Sequence, residues 1–327
     1  MVALDNLKRR GSELNIPGLK ANGVKFIHGD IRNKEDFDLV VTIPDVIIEC
    51  SAEPSIMAGY SSPEYLINTN LLGAVNCFEY ARKCDADVVF LSTSRVYPVN
   101  TINSICFAET GTRFNIKDRF AFNPHGASSK GITEYFPLNG TRTLYGATKL
   151  ASELILQEYI EMYGIKGVIN RCGVLAGPWQ MGKVDQGFVT FWAAKHHYRQ
   201  ALNYIGFGGQ GKQVRDILHV KDLYRLLEMQ VGDMAAHRGE IYNIGGGLDN
   251  SISLFELTSL CQHYTGHKIP INSVPEIRPG DIRIYITDNA KITGKTGWKP
   301  EITVNQIVEE IAIWINNNSE MLRPVLA

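Results

Sequence analysis

No stretch of this chain approaches the roughly 18 consecutive apolar residues needed to cross a bilayer, and no surplus of one charge marks it for a polyanion. Its 33 basic and 34 acidic side chains leave a formal charge of −1, which argues against a nucleic-acid or membrane-surface partner held by bulk electrostatics. Cysteine is scarce and scattered: Cys50, Cys77, Cys84, Cys106, Cys172 and Cys261 form no C-x-x-C pair and keep no metal-like spacing to the eight histidines. That pattern argues against a disulfide scaffold or a zinc module, and a reducing cytoplasm is the expected compartment. Charges by position 5 and the lack of an apolar segment behind Met1 speak against a secretory leader.

What is present describes an ordinary globular chain with one large or two medium cores, 44% hydrophobic with 30 glycines among 327 residues. Short apolar runs at Val2 to Leu4, Val24 to Ile27, Val46 to Ile48, Val88 to Leu91 and Gly167 to Ile169 read as buried strands. Helical periodicity lies between them, over Tyr65 to Cys84 and Leu144 to Tyr163. Strand and helix in alternation predict an α/β fold, a doubly wound parallel sheet with helices on both faces. Further on, helices are expected around Phe188 to Tyr198 and Leu254 to Gly266, a strand around Glu240 to Ile244, and a last helix with Val304, Ile307, Val308, Ile311 and Ile315 on one face. The polar stretch Asn100 to Arg142 exceeds the about 12 to 15 residues of a structureless loop, so it should hold small elements and cover a site.

Tyr145 and Lys149, four residues apart at the start of a predicted helix, share one of its faces. Alone, that spacing describes many solvated helices. Its weight comes from Leu91-Ser92-Thr93-Ser94-Arg95-Val96-Tyr97, a run of hydroxyls just after an apolar strand, because open parallel sheets place their sites at strand carboxyl ends. A lysine ammonium beside a phenol favours phenolate, and a neighbouring hydroxyl can hold the same substrate oxygen.

With these residues in place, almost the whole chain resembles the extended short-chain dehydrogenases/reductases of the NAD-dependent sugar epimerase/dehydratase family. The matches come in order: Leu4-Asp5-Asn6-Leu7, Gly29-Asp30-Ile31-Arg32, Asn70-Leu71-Leu72-Gly73, the Thr93, Tyr145 and Lys149 set, Gln213 to Val220, Arg278-Pro279-Gly280-Asp281 and Gly297-Trp298-Lys299-Pro300. Longer runs, Arg9-Arg10-Gly11-Ser12-Glu13, Gly131 to Leu138 and Asp185-Gln186-Gly187-Phe188, are similar to a branch of 2-epimerases acting on CDP-activated deoxysugars.

The resemblance implies a Rossmann-like, NAD-binding part over residues 1–175 and a smaller, mainly substrate-binding α/β part over 176–327, some of whose segments return to the cofactor domain. It implies Thr93, Tyr145 and Lys149 as the catalytic set. For NAD it implies Asp5 on the adenosine ribose with Asn6 and Arg9 beside it, Asp30 and Ile31 at the adenine, Ser51, Ala52 and Asn70, then Tyr145 and Lys149 again. Asp5 and Asp30 can also be read as turn or cap carboxylates and Arg9 as a surface charge. The acid at the second strand suits a free ribose diol, while Arg9 and Arg10 leave room for a 2′-phosphate. For a nucleotide sugar the resemblance implies Thr93, Arg215 and Arg278, the arginines on the diphosphate; surface ion pairing is their plainer role. Gln180 and Gln186 could bond sugar or base, or be ordinary loop polarity. No metal is implied, and His196, His197, His219 and Cys172 read as packing residues.

One family feature is missing. A strand, a glycine-rich turn and a helix should open the dinucleotide-binding half, and none precedes Asp5. Gly206-Phe207-Gly208-Gly209-Gln210-Gly211 has the required spacing but leads into a predicted strand, so it reads as a turn. Either the sequence lacks its upstream segment or cofactor binding has been lost. The missing strand is central in the 3-2-1-4-5-6 order, and an unpaired centre is costly, so the first account is favoured. The 327 residues alone would then hold NAD weakly, and a chain extended upstream would hold it tightly.

The expected chemistry is C2 epimerisation through a 2-keto sugar. A 4,6-dehydratase needs an acid and a base after the threonine, where this chain has Ser94 and Arg95; a 4-epimerase or a non-catalytic sensor or scaffold of the same fold are the other readings. A homo-oligomer, dimer or tetramer, is implied, pairing the helices Tyr65 to Cys84 and Leu144 to Tyr163 through Leu66, Leu71, Val75 and Phe78.

Overall fold

The computed structural model describes residues 1–119 and 121–327. The chain divides into two compact units. The first comprises Met1–Val96, Thr143–Arg171 and Leu227–Ile241. Its strands are β1 (Val2–Asp5), β2 (Lys25–His28), β3 (Val46–Glu49), β4 (Asp87–Thr93) and β5 (Gly167–Cys172). β1 lies parallel to β2 with Val2 opposite Lys25, and β3 parallel to β4 with Val46 opposite Asp87. β5 flanks β4 on its other side, and every residue of β5 is buried. Its apolar positions are buried as a parallel sheet covered on both faces requires, and its two polar ones, Asn170 and Arg171, are bonded to Gln230 and Glu153.

The sheet is interrupted. β1 and β2 form one sheet, β3, β4 and β5 belong to another, and among the described residues nothing pairs with the second edge of β1 or of β3.

Helices α1 (Gly73–Cys84) and α2 (Leu144–Tyr163) carry the core of this unit. Phe78, Cys77 and Ala81 from α1 meet Leu156 and Ile160 from α2 around Val88, Phe90 and Ile169 of the sheet. Thr143 caps α2 by accepting from the Gly146 amide, and Gly164 closes it in the left-handed conformation at φ 77°. The periodicity read over Tyr65 to Cys84 is realised as Pro63–Ile67, one π turn at Asn68–Leu72 and then α1. Leu66 and Phe78, expected on an assembly face, are fully buried in the monomer, whereas Leu72 and Leu154 are about half exposed. Their apolar character is therefore spent on the core.

The second unit comprises Tyr97–Arg142, Cys172–Leu226 and Tyr242–Ala327. Val214–His219 is its central strand, parallel to Val174–Ala176 and to Ile284–Tyr285 and antiparallel to Ser251–Ser253. Helices Phe188–His197, Leu254–Thr265 and Val304–Asn317 pack on one another, the last two opened by capping boxes at Ser253/Glu256 and Thr303/Gln306. A further helix, Ser319–Leu326, follows the one expected to be last. The polar stretch holds a short helix at Val99–Asn103, a hairpin of Phe107–Glu109 with Phe114–Ile116, and a second pairing of Ala127–Ser128 with Gly131–Ile132. Gly206, Phe207, Gly208, Gly209 and Gly211 all have positive φ and lead into the strand Val214–His219, so this run is a turn and not a helix-opening phosphate loop.

Two predictions follow from buried and linked charges in the first unit. Glu153 on α2, with no exposed side-chain surface, accepts from Arg171 of β5 at 3.0 and 2.7 Å and from the Ser92 hydroxyl of β4. Glu153→Leu alone should cost about 3–5 kcal/mol by stranding the guanidinium, and adding Arg171→Met should recover most of it, measured by urea unfolding. At the end of β2, the Asp30 carboxylate takes Arg32 and Asn6, which hold it well below the ordinary carboxylate range against the opposing effect of burial. Its stabilising contribution is complete above the unfolded value of about 3.9 and vanishes as pH falls through the folded value, so the stability gap between parent and Asp30→Asn should be constant near neutrality and close below about pH 4.

Candidate active site

Three elements of the first unit converge on the candidate site: the end of β3 with the loop after it, the end of β4, and the first turns of α2. Thr93 is the last residue of β4, and its hydroxyl accepts the Arg95 amide at 3.2 Å. Tyr145 and Lys149 lie on the first turns of α2, both buried, as is Thr93. α2 packs directly on β4 and on the turn Ser94–Val96. The Ser92 to Glu153 hydrogen bond, one turn past Lys149, pins helix to strand next to Thr93. Lys149 Nζ stands 4.0 Å from the centre of the Phe90 ring and 3.5 Å from Glu49 Oε2.

Asn70 joins the same elements from the π turn. A π turn breaks the regular i to i−4 ladder and leaves a carbonyl free to bond elsewhere. Here the Asn70 carbonyl accepts the Ser152 hydroxyl of α2 at 3.2 Å. Its side chain grips the loop after β3 at both ends of one residue, accepting from the Glu53 amide at 2.7 Å and donating to the Glu53 carbonyl at 3.0 Å. Ser51 lies on that loop with its amide on Glu49 Oε1 at 2.9 Å, and Ala52 follows, half-buried.

The remaining expected cofactor residues gather at the ends of β1 and β2. Asp5 is exposed and accepts the Leu7 amide at 2.6 Å, an Asx turn that holds Leu7 at φ 53°. Asn6 donates to Asp30 at 2.9 Å, and Ile31 is pressed under α1, where a side chain at Gly73 would come within 2.5 Å of its Cδ1. Arg9 is half-buried, its carbonyl taking the Ser12 amide and hydroxyl. Cys50 follows Glu49 at the end of β3, and its thiol is pushed up to about 11 by desolvation and then by the negative charge of Glu49, with Asp5 adding to the effect.

Of the five expected substrate residues, Thr93 belongs to the first unit and the other four lie in the second. Arg215 donates to the carbonyls of Val214 at 2.7 Å and Ile282 at 2.6 Å, and Arg278 pairs with Asp281 at 3.1 Å. Gln180 donates to the Leu175 carbonyl, and Gln186 closes a turn with Lys183 through their backbones. Glu49, Glu153 and Arg171 escaped sequence reasoning. A single carboxylate closing the apolar run Val46-Ile47-Ile48 was the signal for Glu49, while the other two looked like ordinary charges until helix and strands were docked.

NAD would be held through this set, which fits the group at its two ends. Carboxylate acceptors at Asp5 and Asp30 and the Asn6 amide would suit a ribose diol and adenine, and the buried Lys149 ammonium, one turn from Tyr145 on α2, would suit the nicotinamide ribose. Among the described residues no group of histidines, cysteines or carboxylates could hold a metal ion, and no helix is long and apolar enough to cross a membrane.

Comparison with known proteins places this geometry. Residues 1–245 match the NAD dependent epimerase/dehydratase family. The chain is 28% identical to CDP-paratose 2-epimerase of Salmonella typhi, over 97% of this chain and 92% of that one. It is 31% identical to a dTDP-glucose 4,6-dehydratase of an Actinoplanes species, over 90% and 92%. The crystal structure of the dTDP-glucose 4,6-dehydratase DesIV from Streptomyces venezuelae, solved with NAD and TYD bound, superposes with a TM-score of 0.76 at 25% identity, covering 99% of this chain and 89% of that one. Fold and sequence likeness agree, and the chain belongs to the NAD dependent epimerase/dehydratase family, with NAD as cofactor.

Proposed function

We propose that the chain epimerises a nucleotide-activated deoxysugar at C2, converting CDP-paratose to CDP-tyvelose in the cytoplasm. The observation that carries this reading is the buried Tyr145 and Lys149 pair docked against a strand that ends in Thr93 and continues with Ser94 and Arg95. Elimination of water needs an acid and a base beside the threonine, and neither serine nor arginine supplies them readily. The likeness to the Salmonella 2-epimerase over nearly the full length of both chains favours the same carbon and the same nucleotide.

In this proposal Tyr145 Oη takes the proton from the sugar hydroxyl and later returns it, while the Thr93 hydroxyl bonds the reacting oxygen. Lys149 supplies the positive charge beside the phenol and a donor for the cofactor's ribose. NAD, when bound, would supply reversible hydride acceptance at the sugar carbon, so the reaction would carry no net redox change. Asp5, Asn6, Arg9, Asp30, Ile31, Ser51, Ala52 and Asn70 are proposed for the rest of the cofactor. Arg215 and Arg278 are proposed for the diphosphate and Gln180 and Gln186 for sugar or base. The active form is proposed to be a homo-oligomer.

The test is NMR of CDP-paratose deuterated at C2 with the NAD-loaded protein. CDP-tyvelose that keeps its deuterium supports the proposal; inversion at C4, loss of water, or wash-out of the label overturns it. Tyr145→Phe should lower kcat by about 10² to 10⁴ with KM little changed, because only the ionisable hydroxyl is lost. A variant retaining more than about a tenth of the parent rate would remove Tyr145 as the base.

A further inference from the structure

We infer that Glu49 is a positioning residue for Lys149, the counter-ion that keeps its ammonium charged and fixed, an inference that rests on the roles proposed above for Tyr145 and Lys149. Glu49 ends β3 and is 2% exposed. The Ser51 amide, at 2.9 Å, and the Ser51 hydroxyl hold its Oε1, so the turn after the strand fixes the plane of the carboxylate. Oε2 has no hydrogen-bond partner among the described residues and faces Lys149 Nζ at 3.5 Å. Only 2% of the lysine side chain is exposed, and the Phe90 ring lies 4.0 Å from the ammonium.

An ammonium so enclosed has lost most of its hydration, and an aromatic face does not replace that water. Without a neighbouring anion such a lysine sheds its proton. Among the described residues Glu49 is the carboxylate at ion-pair distance from it. The other ionisable groups around the pair are Cys50 beyond β3, with Asp5 behind it, and Cys77 on α1, whose thiols Glu49 pushes up in addition to their burial. On α2 itself stand Tyr145 and Glu153, the latter committed to Arg171. The elements packed on α2 add Glu64 and Tyr65 of Pro63–Ile67, Arg95 of Ser94–Val96, and Glu79, which is paired with Arg82 at the surface. Losing Glu49 therefore leaves the buried ammonium without its counter-charge, and with it goes the support for the cation proposed to favour the Tyr145 phenolate.

Urea unfolding of the full chain tests the pair without substrate. Glu49→Gln should lose stability at pH 6 and regain much of it at pH 9, since the unfolded lysine holds its proton up to about pH 10 and the cost of a neutral native lysine shrinks as pH rises toward that value. In a Lys149→Met background the same replacement should cost little at either pH. Equal losses in both backgrounds, or a loss independent of pH, overturn the inference. Should Glu49→Gln fail to fold, the double variant Glu49→Gln/Lys149→Met must fold, and failure of both overturns it too. With CDP-paratose and NAD, the rising limb of kcat against pH should move about one pH unit or more to the alkaline side in Glu49→Gln, and Glu49→Asp should restore it. An unmoved limb leaves Glu49 no part in positioning Lys149 and overturns the inference. Coupling in the unfolding cycle together with no epimerisation by the parent would instead sink the proposed reaction and support the pairing.

Discussion

Glu153 accepts from Ser92 and Arg171 with none of its side-chain surface exposed, and the first unit depends on that contact more than on any other polar one. A carboxylate without solvent must be neutralised and fully bonded, or the helix that carries it cannot stay on the sheet. Because its partners come from two neighbouring strands, the requirement fixes the position of α2 along both. Tyr145 and Lys149 lie two turns and one turn before Glu153 on the same helix, and Thr93 is the residue after Ser92. The alignment of the candidate catalytic set is thus a by-product of satisfying one buried charge. Apolar contacts among Phe78, Leu156, Ile160 and Ile169 supply the bulk of the burial but tolerate sliding.

A second layer of polar bonding centres on the π turn. There the Asn70 carbonyl accepts from Ser152, while the Asn70 side chain clamps Glu53. The loop after β3 is thereby tied to α2 through a side chain that is 1% exposed. Glu49, Ser51 and Lys149 then sit on opposite sides of a rigid frame, where a 3.5 Å ion pair is held by the surroundings and not only by its own attraction.

The alternation of apolar runs and amphipathic stretches made the parallel α/β architecture and the limits of α2 legible, because a sheet covered on both faces leaves an unbroken hydrophobic signature. The places of Thr93, Tyr145 and Lys149 in the fold were legible for a different reason, since a strand end and a helix start are marked by where the apolar pattern changes. Leu66 and Phe78 were misread because periodicity identifies an apolar face without saying whether core or partner covers it. Glu49 and Arg171 were invisible as site residues, since a charge in sequence reveals nothing of its burial. The helix Ser319–Leu326 hid behind Asn316, Asn317 and Asn318, a run with the composition of a loop.

Among the described residues the second edges of β1 and β3 are open, and this bears on handling the protein as much as on its chemistry. A strand without a neighbour presents a row of amide and carbonyl groups to whatever extended chain drifts by, and folded proteins usually blunt such edges with lysine, proline or a bulge. Val2-Ala3-Leu4 and Val46-Ile47-Ile48 carry none of these, and Ile48 is 43% exposed. Two copies meeting edge to edge could zip together through backbone bonds alone, a route to slow, concentration-driven precipitation that owes nothing to unfolding. Colloidal behaviour would then report on the sheet's discontinuity as directly as any structural probe.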